Sequence, residues 1–297
     1  MAAYKFDSPY RYRDELGEGP HWDCSRSELI RVDYNAHAVH HLNTASGEQR
    51  TSLFDGPVSF AIPAGDDGLI VGLRDSVRVV GHRDGRPMRT VHEMGFGSAS
   101  LRLNDGKIDP FGSLVFGSLS ETREAEASCY RIDSVRGFCE LWGGVTISNG
   151  IGWDPDRNLM YYIDSIARRI DVCDVDPTDC VPFNRRVFAD VDANHGMPDG
   201  MCVDENGCVW VALVDGGRIR RYRPDGGIDA DVMLPVSRPT SVTFGDPDLG
   251  TLFVTTARFR LTDEQLAAQE LAGAVFVVST SVGGLPPFEP SPEWVDP

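Results

Sequence analysis

Six positions at near-constant spacing define the chemistry open to this sequence: Glu18, Ala61, Asn104, Asn149, Asp199 and Ser241. Each stands five residues before an Asp that opens a turn, at 23, 66, 109, 154, 204 and 246. Successive anchors lie 43, 43, 45, 50 and 42 residues apart. Four of the six carry a carboxylate or an amide (Glu18, Asn104, Asn149, Asp199). Brought together, such groups cannot all stay charged and dry without a cation. The set is one of hard oxygen donors, suited to Ca²⁺, Mg²⁺ or Mn²⁺, with Zn²⁺ admissible where few protein ligands bind. The alternative is a hydrated polar plug in a channel.

Glycine follows the key residue in "EGPHWD", "NGIGWD" and "DGMCVD", which lets the backbone turn tightly there. In "RLNDGKIDPFGSLVFGSL" (102–119), Arg102, Asn104, Asp105 and Lys107 crowd the start of an apolar strand. Asn-Asp-Gly by itself is a hairpin signature. Its phase within the repeat instead assigns Asn104 to the shared cluster, with Lys107 either a turn residue or a substrate contact.

Short apolar strands follow every anchor, as in "DPFGSLVFGS", "WDPDRNLMYYID" and "VDENGCVWVAL". A period of 42–50 residues holding several such strands is the size of a four-stranded propeller blade. The expectation is an all-β, six-bladed β-propeller forming one domain over residues 1–297, in which equivalent positions meet on the axis. Only "LTDEQLAAQELAG" (261–273) has helical character, as a short insertion.

The chain has 45 acidic and 28 basic residues, a net charge of −17, which disfavours nucleic acid and anionic membranes as partners. No apolar run approaches a membrane span and the N-terminal stretch has no signal-peptide core. Seven cysteines without a CxxC pair read as reduced cytosolic thiols, so a cytoplasmic location is expected, with monomer as the default state. There is no G-x-S-x-G elbow for a serine esterase, and "GFGSAS" lacks a dinucleotide-binding context. "DVDANHG" (190–196) imitates an EF-hand start but places His195 where the tight-turn Gly belongs. His40, His41 and His195 read as surface or loop histidines, His195 close enough to Asp199 to line a pocket mouth.

The segments "LGEGPHWD" (16–23), "RLNDGKIDPFGSLVFGSLS" (102–120), "SNGIGWDPDRNLMYYIDS" (148–165), "MPDGMCVDENGCVWVAL" (197–213) and "RPTSVTFGDPDLGTLFVTTAR" (238–258) together resemble the regucalcin (senescence marker protein-30)/gluconolactonase family. The resemblance implies a six-bladed propeller with one catalytic divalent cation and hydrolysis of a sugar lactone, a small molecule, to the aldonic acid. It implies Glu18, Asn149 and Asp199 as metal ligands, Asp199 also as general base, and Arg102 and Asn104 as substrate contacts. Glu121, in "FGSLSE", matches a place where family members touch substrate hydroxyls, although "ETREAEASCY" departs from the family pattern. Two other readings suit the same site: hydrolysis of a phosphotriester or other ester, and a non-catalytic, calcium-binding regulatory role.

Overall fold

The computed structural model describes residues 4–133 and 136–292. They form six four-stranded antiparallel sheets. The innermost strands are Gly17–Asp23, Phe60–Ala64, Leu101–Ile108, Ser148–Asp154, Met197–Val203 and Pro239–Gly245, and each packs against the inner strand on either side, closing a ring. This is the expected six-bladed propeller.

The first five blades are each built from four consecutive strands. In the sixth, Lys5–Asp7 pairs with Phe276–Ser279 (Phe6 opposite Val278), so the N-terminal strand forms the outer edge of the last blade. Strands near the axis are buried on both faces: every residue of Leu114–Ser120, Ser148–Asp154 and Val209–Val214 is enclosed. Outer strands face solvent on one side, as in Pro182–Asp190. Apolar layers fill the gaps between blades; Tyr161, Ile163 and Val172 of the fourth pack on Met201, Val211 and Leu213 of the fifth.

The anchor Asp residues explain the period. Asp109 accepts from the backbone N–H of Phe111 (2.8 Å) and Ser113 (2.9 Å), and Asp204 from those of Asn206 (2.9 Å) and Cys208 (3.0 Å). Asp23 and Asp154 bind the N–H groups of Arg26 and Arg157, each at 3.1 Å. Each carboxylate therefore holds the turn between the first and second strands of its blade. Asp246 instead accepts from the Thr44 hydroxyl at 2.9 Å, and Asp66 is exposed.

The 261–273 segment contains the helix Asp263–Ala268, opened by a Thr262/Gln265 capping box. His40 and His41 correct the surface reading: they lie in strand Ala38–Asn43 and are 9% and 1% exposed. The C-terminal segment crosses the face where the inner strands end. Gly284 bridges to Asp204, and Leu285, Pro286, Pro287 and Phe288 line a small cavity there with His21, Lys107 and Cys202. No helix among the described residues is long and apolar enough to cross a membrane.

Candidate active site

A regular strand alternates its side chains between two faces, and a break in that alternation redirects a side chain. Five inner strands break it. Pairing slips between Glu18 and His21, Leu103 and Gly106, Ser148 and Ile151, Pro198 and Met201, and Pro239 and Ser241. Each slip is a β-bulge, which bends the strand and redirects a side chain. The second blade has none: Phe60–Ala64 pairs regularly, and Phe60 and Ala61 are 1% exposed.

The bulges surround a cavity of about 480 Å³ at the start of the inner strands. Glu18, Asn104, Asn149, Asp199, Arg102 and Glu121 all line it, so the six residues singled out from the sequence come to one place. The glycines after Asn149 and Asp199 serve a purpose other than the tight turn expected. Their φ angles are not positive; a Cβ on Gly150 would come within 2.5 Å of the Asp199 carbonyl oxygen, and one on Gly200 within 2.0 Å of Ser241 Oγ. They let neighbouring inner strands approach. Gly19, at φ +50, does need the left-handed region.

Supports for these strands come from the second strand of the same blade. Asp33 accepts from the N–H of Glu15 (2.7 Å) and Leu16 (3.1 Å), fixing the approach to Glu18. Asp164 does the same for Thr146 (3.1 Å) and Ile147 (3.2 Å) ahead of Asn149.

At the floor stand three carboxylates, one of them absent from the expected set. Asp105, adjacent to Asn104, is 7% exposed and lines the cavity, as does Asp199 at 6%. Burial raises the Glu18 carboxyl well above the usual range, and the charges of Asp199 and Asp105 add to the effect. Burial and the Asp105 charge raise Asp199 in the same direction, against weaker pulls from Arg238, Asn149 and the Gly200 N–H. Asp105 is itself raised by burial and partly relieved by Lys107. Asp199 Oδ1 and Asp105 Oδ2 are buried with no hydrogen-bond partner. Mutually repelling carboxylates with idle buried oxygens, beside the Asn149 amide, fit a hard divalent cation.

Arg102 is held rigidly. Its guanidinium lies 4.0 Å from the centre of the Tyr34 ring, and Nη1 donates to the Leu103 carbonyl (2.9 Å) and Asn104 Oδ1 (3.2 Å). The Asn104 amide donates to the Ser148 carbonyl at 2.8 Å. Both functional ends of Asn104 are thus engaged, which makes it a wall of the cavity. Glu121, at the rim, pairs with Arg74 (3.2 Å) and Arg102 (3.8 Å).

Two expectations are corrected. Lys107 does not line this cavity; it donates to the Met201 carbonyl and lines the small cavity at the other end of the inner strands. His195 does not line the cavity either; it ends a 3₁₀ turn and sits 3.4 Å from Arg220 Nη1. Besides Asp105, the sequence reading passed over Tyr34, Arg123, Arg238 and Arg260, all of which line the cavity. Two other groups of ligand-type side chains, Glu28–His41–His82 and Asp14–Asp33–His40, lie apart from it. In the second of these, Asp14 is occupied by Arg31 at 2.6 and 3.0 Å.

The model of the SMP-30/Gluconolactonase/LRE-like region matches residues 16–258. Regucalcin of Gallus gallus is 31% identical over 296 residues, with 97% of this chain and 99% of that protein covered. The 6-deoxy-6-sulfogluconolactonase of Pseudomonas putida is 31% identical over 271 residues, covering 91% and 92%. A solved structure of a calcium-binding protein, regucalcin, from Agrobacterium tumefaciens superposes with a TM-score of 0.91 at 25% identity, covering 98% of this chain and 99% of that one.

Proposed function

The chain belongs to the SMP-30/gluconolactonase/LRE-like family, and we propose that it hydrolyses a sugar lactone to the aldonic acid with the help of one divalent cation. The observation that carries this reading is the meeting of two buried carboxylates, half-buried Glu18 and the Asn149 amide at the floor of a cavity walled by Arg102 and Asn104. Relatives named as lactonases support the substrate class.

Glu18, Asn149 and Asp199 would hold the cation, with Asp105 adding charge beside them. When bound, such an ion supplies Lewis-acid polarisation of the lactone carbonyl. The remaining work falls to side chains. Asp199, whose Oδ1 has no partner, takes a proton from the attacking water as the new C–O bond forms. The ring C–O bond then breaks and the proton passes to the departing alkoxide, giving the open acid. Burial makes Asp199 a stronger base than an exposed carboxylate, and a nearby cation keeps it ionised. Arg102, stacked on Tyr34, donates to oxygens of the substrate ring or its hydroxyls. A role limited to holding calcium gives Arg102 no task.

The test is proton release from a panel of five- and six-carbon aldonolactones, using chelator-stripped protein resupplied with Ca²⁺, Mg²⁺, Mn²⁺ or Zn²⁺ in turn. Cation-restored hydrolysis of at least one lactone is expected, together with background rates in Asp199→Ala. A fully active Asp199→Ala protein would refute the general-base assignment.

A further inference from the structure

The cavity is charged in two tiers. Its floor is acidic, with Glu18, Asp105 and Asp199. Its wall and rim carry four arginines, Arg102, Arg123, Arg238 and Arg260. The chain as a whole has a net charge of −17, so this gathering of guanidinium groups at one concavity runs against the general surface.

The four differ in what already engages them. Arg102 is committed to Tyr34, the Leu103 carbonyl and Asn104. Arg238 uses Nη1 to hold Asp215 at 2.7 Å, while its Nε is buried without an acceptor. Arg123 and Arg260 are exposed at the rim and form no ion pair among the described residues. Both stand in turns with left-handed backbone, φ +63 and +66, and Arg260 lies 5.2 Å from the Phe259 ring centre. Glu121, the one rim carboxylate lining the cavity, is already shared between Arg74 and Arg102.

Neutral sugar hydroxyls would leave these donors without an anionic partner. A guanidinium instead matches carboxylate, sulfonate or phosphate oxygens with two parallel hydrogen bonds. A cavity of about 480 Å³ has room for a six-carbon lactone with such a group. Binding the carbonyl end over the acidic, cation-holding floor directs the opposite end of the sugar to the rim. We propose that the physiological lactone is anionic, bearing a carboxylate or phosphate at the end remote from the carbonyl. Arg123 and Arg260 are its specificity-determining contacts, assisted by Arg238. This rests on the lactonase reading of the same cavity.

The test is calorimetric binding of the product-like acids gluconate, glucarate and 6-phosphogluconate to cation-loaded protein at low and high salt. At least one acid with a charged far end is expected to bind on the order of tenfold tighter than gluconate, and which one separates carboxylate from phosphate recognition. The advantage should shrink at high salt and collapse in the Arg123→Gln/Arg260→Gln double variant. It should survive Arg86→Gln, an exposed arginine elsewhere. Equal binding of all three acids, or an advantage the double variant retains, overturns the proposal. A parallel assay compares kcat/KM for 6-phosphogluconolactone and gluconolactone, whose ratio should fall in the double variant. If neither lactone is hydrolysed the lactonase reading fails, while the binding comparison still decides whether the rim reads an anion.

Discussion

The side-chain amide of Asn149 donates to the hydroxyl of Ser165 at 3.0 Å, and its oxygen accepts no hydrogen bond among the described residues. Ser165 is fully buried and follows directly on the second strand of the same blade, Leu159–Asp164. It holds the orientation of the amide. Supports of this kind set ligand orientation, and their loss typically costs tenfold or more in metal affinity. Ser165→Ala is therefore expected to weaken divalent-cation binding about tenfold, with Ser165→Thr close to wild type. Calorimetric titration of chelator-stripped protein measures both; unchanged affinity in the alanine variant would refute the orienting role.

Arg102 combines a planar guanidinium against the Tyr34 ring with a fork of donors, and lysine lacks both the plane and the fork. Arg102→Lys should lower kcat/KM about tenfold or more, while cation affinity stays at its wild-type value. Steady-state kinetics and metal titration on the same preparation separate the two. A parallel fall in both would make Arg102 part of the metal site instead of the substrate wall.

Asp204 is wholly enclosed and serves five donors: Trp210 Nε1 (2.9 Å), Arg221 Nε (2.8 Å) and Nη2 (2.7 Å), and the N–H groups of Asn206 and Cys208. Removing the carboxylate leaves the Arg221 guanidinium with Asp229 alone, strips the Trp210 indole N–H of its acceptor and reopens the turn. Asp204→Ala should destabilise the fold by about 2–3 kcal/mol, read from denaturant unfolding. A loss below about 1 kcal/mol would place the turn's stability in its backbone alone.

His41 carries the pH prediction. Burial pushes its imidazole down to about 3, with Arg50 and His82 adding in the same direction. Above its unfolded value of 6.5 the ring is neutral in both states and costs nothing. As pH falls below that value, the unfolded chain binds a proton that the folded protein refuses, and stability declines until the folded pKa is reached. Thermal melts from pH 7 to 4 should therefore fall less steeply for His41→Gln than for wild type. Parallel curves would show that the ring escapes its enclosure.

The ring of strands and four of its inward groups were legible because the Asp turns lock the phase of each repeat. Once Asp109, Asp154 and Asp204 are fixed as turn openers, the residue five before each lands at the same height on the axis. Asp105 escaped the same logic for a geometric reason. Strict alternation sends Asn104 and Asp105 to opposite faces, but the slip between Leu103 and Gly106 inserts one residue and admits both. The extra residue also carries Lys107 away from this cavity. Arg123 lies in the third blade and Arg238 and Arg260 in the sixth, outside the regular strands, so their convergence depends on how the ring closes, which no local pattern encodes. The paired histidines were misread because a polar residue in an outer strand is ordinarily exposed; His41 instead meets His82 of the next blade, ring centres 4.6 Å apart.

The strand Lys5–Asp7, hydrogen-bonded to Phe276–Ser279, orders events during synthesis. Lys5–Asp7 is made long before its partner strand and stays unpaired until Phe276–Ser279 has followed. Until then the five complete blades can stand only as an open arc. The cavity floor draws on the first, third, fourth and fifth blades, with Thr240 and Arg238 arriving on the sixth. The cavity is thus closed by the same strand pairing that makes the molecule circular.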